Sequence, residues 1–572
     1  MSASPPATAR SRLLPLAIAA AVISACSTPQ LQIDRTARAP VIDGFGASTL
    51  QPSKAKPAAR VLFAQGMAQV YAFNGEEAIR AFKAALAQDP DCALCAWGVA
   101  YQMGPNINDP DRGDLKEAIK YASYARAHST GASPRDLALI DSLVLRYGQA
   151  KSAPEVAIAA AMCRAGGKAG GEKADPLDIA YAERMRDVSA RFVDDPDVLS
   201  VYAEAEMVAT RGFWWDHATG KPAGRIGDLA DLVEAGLVRH PEHVGLNHYM
   251  IHVVDAVTVA RRAEAAADRL GRLAPKSPHL VHMPSHTYAN LGRYADATRV
   301  NQQAVAADDA MDAELQRQNF KISKDWRSHN LHFEWYGALM EGRSELALAT
   351  ARTKAAHGKG DHEYGEYERS LPLLTLVQLQ RWDAVLAEPL PRGEKGMATV
   401  LAQMSRGIAF ARSHRIGEAR DAQTRLALAA APLLKKYTGD DFMGKMVRGF
   451  VDTAQDQLSA ELALAAGDSK EALARQAKAV TAASEIDDYA EPPMLAGAPR
   501  LRLGAMQLQL KQHAEAEKTY REALATRPGS GWALSGLRAA LQGQGKRDAA
   551  RAVDGELARS WPLADANLRA QR

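Results

Sequence analysis

The chain has 572 residues, with 70 Lys and Arg against 67 Asp and Glu, for a formal charge of +3 at neutral pH. That balance, with no long basic block, excludes a polyanion-seeking surface and argues against nucleic acid as a partner. Alanine and leucine abound, and no alternating β-branched run is long enough for a sheet, so a chain of this length is a large helical bundle or a solenoid.

At the N-terminus, Arg10 and Arg12 precede an apolar run from Leu13 to Ala25 that is too short to span a membrane. Residues 1–25 are therefore expected to be a signal peptide. The stretch Ile23-Ser24-Ala25-Cys26 resembles the lipobox of bacterial lipoprotein signals. The resemblance implies cleavage before Cys26 and lipid on its thiol. Ser27, rather than Asp, implies the outer membrane, so the expected location is the cell envelope, with the protein facing the periplasm and held by its N-terminal lipid. An ordinary cleaved signal peptide is the alternative. Residues 26–57, rich in Pro, Ala, Ser and Thr, are expected to be a disordered tether.

From residue 58 onward the pattern is helical and repeats itself. Gly66, Ala78, Phe82, Ala85 and Pro90 are spaced by 12, 4, 3 and 5 residues, and Gly504, Ala516, Tyr520, Ala523 and Pro528 reproduce that spacing. This resembles the tetratricopeptide repeat, a 34-residue pair of antiparallel helices. The resemblance implies an all-α, right-handed solenoid of stacked helix pairs, in which small residues let paired helices approach and an aromatic fills the space between repeats. Gly292-Arg-Tyr-Ala-Asp-Ala297 and Gly342-Arg-Ser-Glu-Leu-Ala347 fit two further copies. The expected organisation is an N-terminal solenoid over 58–350, degenerate helical repeats over 351–500 and C-terminal repeats over 501–572. Ala165-Gly-Gly-Lys-Ala-Gly-Gly171 reads as a loop.

Cys92-Ala-Leu-Cys95 is spaced for a small disulfide in an oxidising envelope, and Ala96 stands where a c-type haem site would need His. Cys163 has no evident partner. The block around Cys92, the segments from Asn247 to His252 and from His279 to His286, and His329-Asn-Leu-His332 together resemble a bacterial family of tetratricopeptide lipoproteins. That likeness implies fold and no reaction. No Gly-x-Ser-x-Gly, Ser-x-x-Lys or His-Glu-x-x-His occurs, so catalysis is left open. Phe213-Trp214-Trp215 reads as a packing wedge.

Nine of the fifteen histidines lie between His240 and His332. With Pro241 and Pro275 at the thirty-second position of their repeats, His248 and His252 fall at positions five and nine, and Asp255 at twelve. His279, His282 and His286 fall at two, five and nine of the next repeat. Gly342 at position fifteen puts His329 and His332 at two and five, with Tyr336 at nine. In tetratricopeptide proteins these positions line the concave face. Imidazoles four residues apart on a helix can converge on one ion, and neighbouring helices can complete its shell. The expectation is a divalent transition metal, Zn, Cu, Fe or Ni, held by His248, His252, His282 and His286. His279, His329, His332, Asp255 and His243 are further ligands or supporting partners. Affinity should then fall as pH drops below about 6.5, where protons compete. The alternative is a groove whose histidines are polar contacts for a protein or peptide ligand.

Overall fold

The computed structural model describes residues 31–110, 115–149, 174–212, 214–216, 219–321, 326–358, 362–391, 396–439, 441–487 and 490–570. Helices form wherever the apolar residues recur at helical spacing. Many open on a capping side chain, as Ser133 accepts from Asp136 N, Ser277 from Leu280 N and Ser530 from Ala533 N. In chain order they are α1 (Pro57–Tyr71), α2 (Gly75–Gln88), α3 (Ala93–Gln102), α4 (Lys116–Ala127), α5 (Pro134–Arg146), α6 (Pro176–Arg191), α7 (Pro196–Ala209) and α8 (Ile226–Arg239). The histidine-bearing repeats follow: α9 (Val244–Val253), α10 (Glu264–Leu273), α11 (Pro278–His282), α12 (Pro284–Asn290), α13 (Tyr294–Arg317), α14 (Arg327–Met340) and α15 (Ser344–His357). Then come α16 (Glu363–Gln378), α17 (Trp382–Ala387), α18 (Met397–Arg412), α19 (Ile416–Lys436), α20 (Phe442–Ala465) and α21 (Ser469–Asp487). The last are α22 (Ala498–Gln509), α23 (His513–Thr526), α24 (Gly531–Gly543), α25 (Arg547–Ser560) and α26 (Ala566–Ala570). Among the described residues no strand forms, only two isolated bridges.

The helix pairs are of tetratricopeptide type, and the signature residues do the packing that the motif requires. A Cβ on Gly66 would lie 2.5 Å from the Phe82 ring, and one on Gly98, in the next pair, 2.7 Å from it. Gly504 and Gly536 bracket Tyr520 in the same way, at 2.6 and 2.1 Å. The aromatic thus wedges between two pairs, and both neighbours must be glycine. Between the helices of a pair, position fifteen adopts a left-handed backbone: Gly292 and Gly342 at φ +75, but also Phe73 at +54, Gln380 at +55 and Lys511 at +60.

The expected tether over 26–57 needs correcting, because residues 33–56 pack along the repeats. Phe45 and Leu50 are buried, Ser53 N and Oγ donate to Asp136 at 2.8 and 2.7 Å, and Lys56 N donates to Asp89 at 2.8 Å. Ser48 and Thr49 donate to Asp197, and Val41 N donates to Gln318 at 2.8 Å. The hydroxyls that read as solvated linker are partnered to carboxylates at repeat edges. The segment crosses the N-terminal repeats in reverse order, from Gln318 back to Asp89.

Both ends of the solenoid return to its middle. Trp532 Nε1 donates to the Leu339 carbonyl at 2.8 Å and Trp561 Nε1 to that of Met340 at 2.7 Å. The α1–α2 turn, with Phe73 and Asn74, meets Trp326 ahead of α14. Cys92 and Cys95 are disulfide-bonded at the start of α3. Residues 1–25, Cys26, Cys163, the loop 165–171 and Phe213 lie outside the described residues. No described helix is long and apolar enough to cross a membrane.

Candidate metal centre

The histidines assemble by a rule that the repeat itself generates. Position five and position nine of one first helix combine with position two of the next. On α9, His248 and His252 are joined by His279 of α11. His248 Nε2 lies 3.1 Å from His252 Nε2 and 3.1 Å from His279 Nε2. One repeat later, His282 and His286 are joined by His329 of α14, with His282 Nε2 3.0 Å from His286 Nε2. In each trio, one nitrogen per ring lies within 4.8 Å of the other two. Tetrahedral bonds of about 2.0–2.1 Å set ligand nitrogens about 3.3 Å apart, so these rings are nearly in place for an ion. A neutral imidazole has one N–H and one lone pair. A single N–H···N bond satisfies only one of His248's two contacts, whereas an ion takes all three lone pairs.

The four histidines expected to share one ion are therefore divided between two trios, each completed by a histidine first assigned a lesser role. His332 joins neither. Its position-five place belongs to a third trio, with Tyr336 and the position-two residue of α16, Tyr367, whose hydroxyl is 2.9 Å from His332 Nε2. His243 is also separate. It caps α9 through Nδ1, which accepts from Leu246 N at 3.1 Å, and its Nε2 faces Asp197 at 3.1 Å.

The second trio has its outer nitrogens tied off. Asn301 Nδ2 donates to the Ala297 carbonyl at 2.7 Å, so its Oδ1 faces His282 Nδ1 at 2.7 Å and accepts that proton. His286 Nδ1 donates to Asp255 Oδ2 at 2.9 Å, and Asn290 Nδ2 donates to Asp255 Oδ1 at 2.7 Å. For His282 the bond fixes the tautomer that points a lone pair inward; His286 would present one only on giving up its Nε2 proton to an ion, and the Asp255 bond would then raise its basicity. Asp255 thus stands behind His286, not beside it. Glu491, from the loop between α21 and α22, approaches the same Nδ1 at 3.2 Å. Asp255, His286 and Glu491 are themselves close enough to hold an ion, but only through the nitrogen that faces away from the trio.

Burial decides the charges. It pushes His248 down to about 3 against a main-chain contact with Tyr71. It also holds His252, His282 and His329 well below the ordinary range, with neighbouring imidazoles adding to the effect. These rings are neutral at physiological pH and ready to ligate. His286 differs, because Asp255 and Glu491 overcome its burial and raise it to about 10. Burial and the Glu491 charge lift Asp255 to about 6, while His286 draws Glu491 down to about 2 against the cost of enclosure.

Aromatic rings wall the cluster. Phe73 lies 4.5 Å from His248, 5.5 Å from His252 and 5.0 Å from His279. Trp326 stacks on His279 at 4.2 Å, and Phe333 lies 4.7 and 4.5 Å from His282 and His286. Beyond His286 a cavity of about 200 Å³ opens, lined by Asp255, Asn290, Phe333, Glu491, Arg500 and Arg527. Five of the six rings are buried and His329 is half-buried.

Sequence reasoning missed Asn301, Phe73, Trp326, Phe333 and Glu491. Asn301 carried a signal, because it occupies position twenty-four, where the repeat expects an aromatic. Phe73 carried one too, as a non-glycine at a left-handed turn. Glu491 carried none, since only the curl of the solenoid brings it there. Glu204 and Glu206 do not reach the cluster. They pair with Tyr101 and, at 2.8 Å, with Arg225.

No family model and no curated protein sequence matches the chain. Similar solved structures include the human IFIT1 dimer with m7Gppp-AAAA, at 9% identity over 88% of this chain and 95% of that one, TM-score 0.31. Yeast Tom70 follows at 12% identity over 89% and 93%, TM-score 0.23. The TPR domain of P58(IPK) matches at 11% identity over 86% and 99%, TM-score 0.20. The fold assignment rests on the helix pairs themselves.

Proposed function

We propose that this protein is a transition-metal-binding tetratricopeptide solenoid, with His248, His252 and His279 as one donor set and His282, His286 and His329 as the other. One observation carries the reading: six imidazole rings packed in two trios of converging nitrogens, inside a core where neutral, unshared polar atoms are costly. Imidazole donors suit Zn, Cu, Fe or Ni. Three protein nitrogens leave a position for a non-protein ligand, the arrangement of a catalytic rather than a closed structural site. The deep burial of His248 and His282, both 0% exposed, speaks against the alternative in which they are contacts for a peptide. We also propose that Cys26 carries lipid and places the protein in the bacterial envelope, facing the periplasm, where metal supply differs from that of the cytosol.

The test is elemental analysis of protein purified without a His-tag, beside a His248→Ala/His282→Ala variant. The expected result is near-stoichiometric transition metal in the parent and its loss in the variant. Less than a tenth of an equivalent, with no thermal shift on adding Zn, Cu, Fe, Mn or Ni, would overturn the proposal.

A further inference from the structure

Resting on the metal-binding reading, we infer that the two trios form a single dinuclear centre, in which two divalent ions share a small anionic oxygen ligand. The rings show no gap where one trio ends and the other begins. His252 and His286, in different trios, have centroids 6.4 Å apart, and His279 and His282 lie 6.1 Å apart. Within the trios, His252 and His279 are separated by 6.4 Å and His286 and His329 by 6.2 Å. The distance across the boundary equals the longest distance inside either set.

The construction explains the doubling. A donor set built from positions five and nine of one repeat and two of the next recurs whenever the next repeat carries the same residues. His248 and His252 recur as His282 and His286, 34 residues later. Because His279 and His282 share one turn of α11, adjacent sets must touch. The third recurrence, His332 with Tyr336 and Tyr367, replaces two imidazoles with phenols and ends the series.

Charge supplies the shared ligand. Two divalent ions bring four positive charges, and all six ring donors are neutral when bound. The carboxylates beside the cluster are Asp255 and Glu491, both directed at His286. That leaves an excess of positive charge in a core walled by Phe73, Trp326 and Phe333, where uncompensated charge is costly. A bridging anion neutralises both ions at once. Paired-ion sites that share an oxygen hold their metals about 3.5–4 Å apart.

The experiment titrates the full-length, metal-free protein with Cu(II) and follows electron paramagnetic resonance. Dipolar and exchange coupling fall steeply with separation, so spin count reports proximity. The expected result is an isolated Cu(II) signal at low occupancy, then a spin count well below two per protein at two equivalents, with a half-field line. His329→Gln and, separately, His252→Gln should each bind one equivalent and give one full, uncoupled spin. Folding of both variants is checked by circular dichroism, and the parent titration decides alone should they not fold. Two equivalents with two full, uncoupled spins would overturn the dinuclear centre and leave metal binding intact. A single equivalent in the parent would do the same. No bound copper, with no other metal taken up, would instead sink the metal-binding reading from which this one starts.

Discussion

Asp255→Asn isolates the support behind one trio from the ligands themselves. In the parent, Asp255 accepts from His286 Nδ1 at 2.9 Å through one oxygen and from Asn290 Nδ2 at 2.7 Å through the other. An amide has one oxygen and one NH2 group, so it can satisfy His286 or Asn290 but not both. Loss of such a partner typically lowers metal affinity about 10–100-fold. Glu491 remains 3.2 Å from the same nitrogen and can take over part of the role. The single variant should therefore lose about tenfold, or about 1.4 kcal/mol, and Asp255→Asn/Glu491→Gln should move toward a hundredfold. The assay is Zn(II) competition against a chromophoric chelator, which resolves the two binding steps. Only the step assigned to His282, His286 and His329 should weaken. Unchanged affinity, or equal weakening of both steps, would refute the argument that Asp255 orients His286.

The metal-free protein should lose stability in mild acid. His248 is held at about 3, so above pH about 6.5 it is neutral in both the folded and the unfolded state, while below that pH only the unfolded chain takes up its proton. That costs about 1.4 kcal/mol per pH unit between about 6.5 and 3, with His252, His282 and His329 shifted in the same direction. Thermal melts from pH 8 to pH 4.5 should show the decline, and a flat profile would contradict the burial of neutral imidazoles. Phe73→Ala removes a buried ring stacked on His252 and His279 and tilted against His248, but leaves the left-handed backbone. We expect a loss of about 3 kcal/mol in chemical denaturation, at the lower end of the range for buried Phe, and a stability unchanged from the parent would show that the ring does not seal the cluster. Trp561→Ala deletes a buried indole bonded to the Met340 carbonyl. The C-terminal repeats should then become protease-sensitive at lower denaturant concentrations, with a loss of about 3–5 kcal/mol; unaltered cleavage would argue against docking. Cys26→Ser should abolish lipid labelling and release soluble protein, and continued fractionation with membranes would defeat the lipobox reading.

The repeat was legible because its residues are dictated by backbone proximity. Gly66 and Gly98 must be small where Phe82 sits between them, and the same demand recurs at Tyr520. Phase then followed from Pro241 and Pro275, which placed His248, His252, His282 and His286 near one another. Their grouping was not legible, since a phase identifies a face of one helix and not which neighbouring helix supplies the third ring. His279 and His329 were candidates by phase as further ligands or supporting partners, and only the packing of adjacent helices sets one in each trio. His332 stands outside both trios for the same reason, because its position belongs to the next one. The segment over 33–56 hid its order in small polar residues whose carboxylate partners lie far along the chain. Glu491 depends on the closure made by Trp532 and Trp561, a contact between repeats that sequence spacing does not encode.

The most direct test is a crystal structure of the tag-free protein, measured at the absorption edge of whichever metal it carries. The account predicts two anomalous peaks, one about 2.0–2.1 Å from Nε2 of His248, His252 and His279, the other equally close to Nε2 of His282, His286 and His329. A peak on the far side of His286, between Nδ1, Asp255 and Glu491, or no peak among these histidines at all, would contradict it.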